Sequence, residues 1–276
     1  FLNQNQNAIF ADPAVRKALD TALDKNALID TILNGYGAAL SGPLPPRSVS
    51  QAPRATTTPD ERLASARAIL AADGWTLGTT TASSTPVFTK TSKAKSGKKI
   101  TSTLTFTLAT GNAPELKDAA DVVAHTWGAL GADVKVVLYN QNELNLSVIR
   151  PRAYDALLFG QVVGAGDDLF AFWHSSQRND PGLNIALYAN SAVDKLLTDA
   201  RTETDPTTAE ADSTKAAQTI GSETAAIFLY APYFTYVTES GLRGLSLGRV
   251  QSPSDRFNNV ASWYLKTEYV WPLFAH

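Results

Sequence analysis

The chain contains no cysteine, and this absence removes several kinds of site from consideration. Without thiols there is no disulfide, no thiolate zinc site and no cysteine nucleophile. Complete avoidance of cysteine is compatible with export into an oxidising compartment. Methionine is absent too, even at position 1. We therefore expect either a mature protein or an excised fragment of a longer one.

Strong charge of either sign is also absent, because 24 basic and 26 acidic residues nearly cancel. A net charge of −2 does not indicate a nucleic-acid partner. The run KTSKAKSGKK at 90–99 is basic, but it has neither arginine nor an aromatic residue. We expect it to form a hairpin tip rather than a nucleic-acid patch. No run of 18 apolar residues predicts a membrane-spanning helix.

The first part of the chain predicts short, well-capped helices. Residues 12–34 indicate two of them, with Asp12 and Asp24 as N-caps, Pro13 in the first turn and Gly35 as the stop. A third helix follows Pro59 and ends at Gly74. We expect Arg16 to pair with Asp20, four residues further along the same helix. Arg16, Asp24 and Asp194 are therefore interpreted as structural residues.

The middle of the chain alternates strands with helices. Leu104, Phe106 and Leu108 alternate as in a strand, and the following segments predict helix, strand, helix and strand at 114–130, 132–140, 141–149 and 154–160. This order predicts an α/β fold with a mixed, mostly parallel sheet flanked by helices. Further helices are expected at 190–203 and 207–222, and one or two strands within 225–237.

The stretch QVVGAGDDLFAFWHSS, residues 161–176, directly follows the carboxyl end of the last of these strands. Ligands collect at that edge in open α/β sheets, and glycine lets backbone approach a ligand closely. The alternative is that Gly164 and Gly166 merely turn the chain. For Phe172 and Trp173 we favour core packing over contact with a ligand.

Catalytic and metal sites are less well supported by the sequence. Asp167, Asp168 and His174 form the best metal cluster, but they lack the spacing of a zinc or EF-hand site, so we expect neither metal nor cofactor. His174 with Ser175 or Ser176 is the one candidate for a serine-type hydrolase. No GxSxG elbow is present, and neighbouring residues on one element do not readily face each other. We therefore predict that the chain is not an enzyme.

Several segments together resemble family 5 extracellular solute-binding proteins, the oligopeptide, dipeptide and nickel receptors of ABC importers. The opening FLNQNQNAIFADPAVRKALDTALDKNALIDTILNGYGAALSGPLPP is similar to the family's conserved segment. Three later stretches also resemble the family: DERLASARAILAADGW; YDALLFG followed by DD, FWHSSQ, Asn184 and YANSAVDKLLTDAR; and RFNNVASWY. The matching residues of the opening segment are Asn3, Phe10, Asp12, Val15, Arg16, Ala18, Ala22, Asp24, Gly35, Gly37, Pro43, Pro45 and Pro46.

The resemblance implies a type II periplasmic-binding-protein-like lobe. Residues 1–237 would be the C-terminal ligand-binding lobe of a two-lobed receptor, and residues 238–276 a returning segment that packs on a missing N-terminal lobe. The protein would bind an oligopeptide or similar small solute and deliver it to an ABC transporter permease. It would be periplasmic or extracellular, secreted or anchored to the membrane through an absent N-terminal segment.

The resemblance also points to the solute-binding residues. In peptide-binding members, the turn after the last strand carries an aspartate that pairs with the ligand's amino terminus. Here Gln161 stands at the usual tryptophan and Gly164 at the usual aspartate. Asp167 or Asp168 is the candidate replacement, or else caps the next helix. The predicted ligand-binding residues are Gln161, Val162, Val163, Gly164, Asp167 and Asp168. Sugars and other polyols are alternative solutes, and a ligand-free structural or interaction module is the alternative function.

Overall fold

The computed structural model describes residues 1–46, 57–78, 86–93, 97–163, 168–248, 250 and 252–265. The chain divides into two compact units, Phe1–Ala231 and Pro232–His276. The boundary predicted after residue 237 stays a prediction. So does the assignment of residues 1–237 to a lobe and of residues 238–276 to a returning segment. In the described part of the chain, no helix is long and apolar enough to cross a bilayer.

The helices lie close to where the sequence predicts them. They are α1 (Pro13–Ala22), α2 (Lys25–Leu33), α3 (Pro59–Ala72), α4 (Pro114–Leu130), α5 (Gln141–Glu143), α6 (Phe170–Trp173), α7 (Ser191–Thr202) and α8 (Pro206–Ser222), with a π-helical turn at Leu144–Ile149. The strands are β1 (Gly37–Ala39), β2 (Thr76–Leu77), β3 (Phe88–Lys93), β4 (Lys99–Thr103), β5 (Thr105–Gly111), β6 (Asp133–Tyr139), β7 (Ala156–Leu157), β8 (Tyr230–Pro232), β9 (Leu242–Arg243) and β10 (Tyr264–Leu265).

The predicted caps are confirmed for the first two helices. Asp12 Oδ1 accepts a hydrogen bond from the Ala14 amide at 3.0 Å. Asp24 Oδ1 accepts from the amide of Asn26 at 3.1 Å and from that of Ala27 at 3.0 Å. Each carboxylate thus satisfies donors that the first turn of a helix leaves without a partner. Helix α2 ends at Leu33, and the two residues that follow, Asn34 and Gly35, have φ angles of +51° and +83° and stop the helix.

A three-stranded sheet in the order β6-β5-β7 confirms the predicted parallel arrangement. Leu108 in the central strand is opposite Val136 on one side and Ala156 on the other. Strand β7 is shorter than the predicted 154–160. The reason is that Asp155 uses its carboxylate to bind the amide and hydroxyl of Thr107, both at 3.0 Å, and the chain leaves the sheet after Leu158.

The start of the chain runs antiparallel beside β7. The Phe1 nitrogen donates to the Leu157 carbonyl, and the Phe1 carbonyl accepts from the Leu157 amide, both at 2.9 Å. Leu2 forms an antiparallel bridge with Ala156. The Asn3 amide donates to the Asp155 carbonyl at 2.8 Å. These bonds cover one side of β7, which is therefore not an edge strand over Ala156 and Leu157.

One core cluster lies between the parallel sheet and helices α1, α3 and α4. The rings of Phe10, Phe106 and Trp127 meet edge to face, with centroid distances of 5.0 and 5.6 Å. Trp127 Nε1 donates to the Leu19 carbonyl at 2.9 Å, so even the one polar atom of this side chain is satisfied. A second cluster joins Trp173 to α7 and α8.

The lysine-containing run belongs to an antiparallel sheet, β2-β3-β4. Thr91 is opposite Thr101, with their hydroxyl oxygens 3.2 Å apart. This confirms strands on both sides of the predicted hairpin tip, whose residues 94–96 lie outside the described residues. Lys90 Nζ contacts Asp12 Oδ2 at 3.0 Å and also Asp73. Lys90 thus has a structural role in joining this sheet to α1.

The segment 225–237 forms less strand than predicted. Only Tyr230–Pro232 is in β-structure. Ala225 and Ala226 are instead buried in the second core cluster, and Pro232 cannot donate a backbone hydrogen bond that would extend the strand. Within the second unit, β9 pairs with β10, and the rings of Tyr236 and Phe257 each lie within 6.3 Å of Trp263.

Arg16 does not pair with Asp20, so that prediction is wrong. The Arg16 side chain is buried and donates to four backbone carbonyls, those of Phe10 (2.7 Å), Ala11 (3.2 Å), Thr224 (3.1 Å) and Glu223 (3.3 Å). Asp20 instead pairs with Lys25 at 2.8 Å. Because the guanidinium points into the protein, Arg16 links the start of α1 to the end of α8, more than 200 residues away.

We expect Arg16→Ala to lower the free energy of unfolding by roughly 3 kcal/mol, because it leaves buried carbonyl groups without a donor. Arg16→Lys should cost less than Arg16→Ala, since it keeps the charge and part of the donor set. The matched control is Lys17→Ala, on the exposed side of the same helix, which should stay within about 0.5 kcal/mol of the parent. Urea titrations followed by circular dichroism measure all three. Equal midpoints for Arg16→Ala and Lys17→Ala would contradict the role of Arg16.

Candidate functional site

The carboxyl ends of the three parallel strands lie at one edge of the sheet. Strand β5 ends at Gly111, β6 at Tyr139 and β7 at Leu157. The Asn112 amide donates to the Tyr139 carbonyl at 2.9 Å, which holds the ends of β5 and β6 together. The chain leaving β7 runs into the segment Phe159–Val163. This edge is where open α/β sheets bind ligands.

The segment Phe159–Val163, called the wall here, carries backbone groups that are free to bind a solute. Its N–H and C=O groups make no hydrogen bond to any other described residue. Gln161 Nε2 lies 3.5 Å from the Leu183 carbonyl, at the long limit of a hydrogen bond. The Val162 side chain is 80% exposed, whereas Val163 packs against the second core cluster. The wall therefore combines an anchored end with a backbone that is unpaired within the described part of the chain.

Of the predicted ligand-binding residues, Gly164 and Asp167 lie outside the described residues. Asp168 has two partners within the protein. Its Oδ1 accepts from the Phe170 amide at 3.0 Å, and its Oδ2 accepts from Arg201 Nε at 3.0 Å and Nη2 at 2.8 Å. The first of these contacts places Asp168 against the start of α6, but Leu169 rather than Asp168 is the N-cap of that helix, so the capping alternative is not confirmed. The contact of Asp168 with a solute stays a prediction.

Trp173 belongs to the core, as predicted. It is 1% exposed, and its ring lies 5.5 Å from Phe228 and 6.1 Å from Tyr188, measured between centroids. Phe172 is partly buried against the same cluster. The aromatic residues after the wall thus hold the chain in place rather than line an open surface.

Asn184 matches the family resemblance, but the sequence did not predict that it is a fully buried polar residue. Its Nδ2 donates to the carbonyls of Tyr188 at 2.9 Å and His174 at 3.1 Å, and its Oδ1 accepts from the Tyr188 amide at 3.2 Å. The Tyr188 hydroxyl donates to Glu223 Oε2 at 2.6 Å. Burial, followed by this bond, raises the pKa of Tyr188 above its usual range, so the phenol remains a donor. Asn184 therefore joins two loops behind the wall.

His174 and Ser176 do face each other, contrary to the sequence-based expectation. The chain turns into a 3-10 helix at Ser175–Gln177, and His174 Nδ1 lies 2.8 Å from Ser176 Oγ and 3.1 Å from the Ser176 amide. The imidazole also stacks on Phe170, with centroids 4.1 Å apart. The turn explains the contact, because it brings residues two positions apart onto the same side.

The geometry around His174 differs from that of a hydrolytic triad. A triad requires an acid bonded to the imidazole nitrogen opposite the serine. Asp194 Oδ1 is 4.0 Å from His174 Nε2, and the same carboxylate accepts from the Ser175 amide at 2.8 Å and hydroxyl at 2.5 Å. These side chains therefore cap and fasten a turn. The second histidine on a described element, His125, is exposed on α4.

Neither a metal-binding cluster nor the main apolar cavity offers a better site in the described part of the molecule. Over the described ranges, no group of three or more His, Cys, Asp or Glu residues is arranged to hold a metal ion. A small apolar cavity that is open to solvent lies between the sheet and α4, lined by residues that include Phe1, Leu108, Trp127 and Leu229. Its lining residues bring no charged or amide side chain to orient a solute, so the wall is the better candidate.

Comparison with known sequences identifies relatives along most of the chain. The family model described as bacterial extracellular solute-binding proteins, family 5 Middle, matches residues 1–182. Oligopeptide-binding protein AppA of Bacillus subtilis (strain 168) is 28% identical over 266 residues, 94% of this chain and 45% of AppA. Protein XP55 of Streptomyces lividans is 31% identical over 202 residues, 72% of this chain and 33% of XP55. The chain thus spans less than half the length of these curated relatives.

Solved structures agree with the sequence comparison. The structure of AppA from Bacillus subtilis in complex with a nonapeptide matches with a TM-score of 0.67 and 26% identity, over 96% of this chain and 50% of that one. NikZ from Campylobacter jejuni in complex with Ni(L-His) matches in fold, with a TM-score of 0.64 and 21% identity over 95% and 50%. The predicted type II periplasmic-binding-protein fold is confirmed. With a family model covering well over half of its length, this chain belongs to family 5 of the bacterial extracellular solute-binding proteins.

Proposed function

We propose that the chain is part of the substrate-binding component of an ABC-type importer and forms one side of its solute cleft. Membership of family 5 supports this role. The relative AppA is named an oligopeptide-binding protein, and the NikZ structure is a complex with Ni(L-His). The permease and the extracellular or periplasmic location are part of the proposal, as is membrane anchoring through a segment outside this chain.

The proposed solute is an oligopeptide or a similar small molecule. AppA, whose structure contains a nonapeptide, is the relative with 26% identity, whereas NikZ with Ni(L-His) is 21% identical. The observation that carries the proposal is the unpaired backbone of the wall at the carboxyl edge of the sheet. An extended peptide can add to such a segment through main-chain hydrogen bonds, independently of its side chains. Gln161, Val162 and Val163 would provide these contacts, while Gly164, Asp167 and Asp168 remain predicted neighbours.

The second unit supports the proposed two-lobed organisation. It exposes many large apolar side chains for its size, which is typical of a surface that packs on another part of a protein. The exposed residues are Phe234, Val237, Leu247, Phe257, Val260, Tyr264 and Leu265. We infer that residues 1–237 form the C-terminal lobe and that 238–276 return to an N-terminal lobe of the same protein. The solute would lie between the two lobes.

A hydrolase based on His174 and Ser176 is the alternative that the 2.8 Å contact favours. Its acid would have to be Asp194, which already binds the Ser175 amide and hydroxyl. We therefore rank it below solute binding. If the parent shows a measurable ester or amide hydrolysis that His174→Ala loses, the hydrolase becomes the better proposal. The third alternative, a module that has kept the fold but binds no solute, predicts an empty cleft.

A thermal shift on the intact receptor containing this chain tests the proposed solute class. The probes are a pool of short peptides, the same pool N-acetylated, and a sugar panel. A solute at 100 times its Kd stabilises the folded protein by about 2.7 kcal/mol, which is a readable shift in Tm. We expect the peptide pools to raise the Tm and the sugars to leave it unchanged. A response to sugars alone would replace the peptide proposal, and no response to any pool would favour the ligand-free module.

The variant Val162→Pro tests the use of the wall backbone. It removes one N–H donor at an exposed position, and we expect peptide affinity to fall about tenfold, as for the loss of one hydrogen bond of roughly 1.4 kcal/mol. Val162→Ala is the matched control, since it shortens the same side chain but keeps the amide. Isothermal titration calorimetry with a binding peptide measures both. If both variants bind as tightly as the parent, the Val162 amide does not contact the solute.

The isolated 276-residue chain should bind any solute much more weakly than the intact receptor. Affinity in a two-lobed receptor comes from contacts on both sides of a closed cleft, and a single lobe supplies only one of them. Calorimetric titration of both proteins with the same peptide makes the comparison. Equal affinities would show that the second lobe contributes nothing to binding.

A further inference from the structure

Helix α7 holds the chain that follows the wall at two points. Asp194 lies in the first turn of this helix and Arg201 in its last turn. The two residues are seven positions apart and so lie on the same side of the helix, with the buried Leu197 between them. Both also carry the charge that suits their end of the helix dipole.

Arg201 makes the more elaborate of the two contacts. Its Nε and Nη2 donate to Asp168 Oδ2 at 3.0 and 2.8 Å. The guanidinium carbon also lies 4.3 Å from the centroid of the Phe170 ring, which in turn stacks on His174 at 4.1 Å and an interplanar angle of 16°. One arginine thus binds the carboxylate and covers the aromatic pair.

Asp194 makes the second contact, seven residues earlier on the helix. Its carboxylate accepts the Ser175 amide at 2.8 Å and the Ser175 hydroxyl at 2.5 Å. Helix α7 therefore contacts both ends of the segment, Asp168 and Phe170 through Arg201 and Ser175 through Asp194. His174 lies between these ends and stacks on Phe170.

Helix α6 lies between these contacts and depends on them. It has only four residues, Phe170–Trp173, and a helix this short does not form by itself in water. The amides of Phe172 and Trp173 both donate to the Leu169 carbonyl, at 3.1 and 3.0 Å, so it has few bonds of its own. Besides the burial of Trp173, the links to α7 supply the order of this segment.

We propose that Arg201 is a positioning residue for solute binding and that it occupies the Asp168 carboxylate. Held in this way, the segment Asp168–Ser175 supports the same core cluster on which Val163 of the wall packs. Asp168 then supports the wall through Arg201 rather than serving as the partner of a solute ammonium group. This inference rests on the proposed function, because it assigns a role within the same cleft.

The charge arrangement gives the physical reason for the second part of the proposal. A solute ammonium group at Asp168 would meet a carboxylate that is already engaged on both oxygens, Oδ2 by two donors of a guanidinium and Oδ1 by the Phe170 amide. Charge-assisted bonds to arginine are among the stronger hydrogen bonds in proteins. Arg201 is also held by the Phe170 ring, so it is less free to move away than an isolated surface arginine.

Hydrogen exchange of the 276-residue chain without any solute tests the positioning role. We expect Arg201→Gln to speed exchange of the amides of Phe170, Phe172, Trp173 and His174 about tenfold. Lys195→Gln is the matched control, because it removes an exposed lysine that pairs with Asp199 on the same helix. It should leave these amides unchanged. Equal exchange in the two variants would overturn the positioning role.

Peptide binding by the intact receptor tests the role of Asp168. The probes are a defined short-peptide pool and its N-acetylated form, titrated into the parent and into Asp168→Asn. If Asp168 acts only through the position of the wall, the variant weakens both pools by the same factor, and their affinity ratio is unchanged. If Asp168 binds the amine, only the free-amine pool loses affinity, and the second part of the proposal is wrong.

The two measurements separate this proposal from the proposed function. Exchange is measured without a solute, so it decides the link between Arg201 and the segment even if no pool binds. If no pool binds the parent receptor but exchange is faster in Arg201→Gln, the solute function and the role of Arg201 in binding are both overturned. The structural link between Arg201 and the segment then remains. If the parent receptor binds peptides and exchange is identical in Arg201→Gln and Lys195→Gln, this inference is overturned and the proposed function is not.

Discussion

The parallel pairing of β5 with β6 and β7 is the constraint on which the rest of this structure depends. Parallel neighbours require a crossover between them, and α4 and the short helices before β7 provide it. The same pairing places the three carboxyl ends at one edge, and so it decides where a solute can meet several loops at once. The wall Phe159–Val163 owes its position to this arrangement rather than to any motif of its own.

The wall lies between two regular elements, strand β7 before it and helix α6 after it. The first residues of the chain cover β7 as far as Leu157, and α6 begins at Phe170. Both flanks are well anchored, one by main-chain bonds to Phe1 and the other by α7 and the buried Trp173. In the proposed function, unpaired backbone between two anchored supports would lose little entropy when it binds a solute.

Buried polar residues connect distant parts of the chain around this site. Arg16 joins the start of α1 to the turn after α8, and Asn184 joins the end of α6 to the loop before α7. Each makes its hydrogen bonds to buried backbone groups, which makes it costly to replace. The resemblance to family 5 included Arg16 among the matching residues, but neither that match nor the helical spacing predicted its four carbonyl partners.

The sequence by itself determined the local elements and the family. Caps at Asp12 and Asp24, the apolar stripe of α4 and the alternation in β5 are local patterns, and local hydrogen bonding and periodicity are sufficient to specify them. Only the tertiary structure decided that β7 stops at Leu157, that His174 meets Ser176, and that Arg201 binds Asp168 from 33 positions away. Such contacts depend on which distant segments the packed core brings together, and no spacing along the chain encodes that.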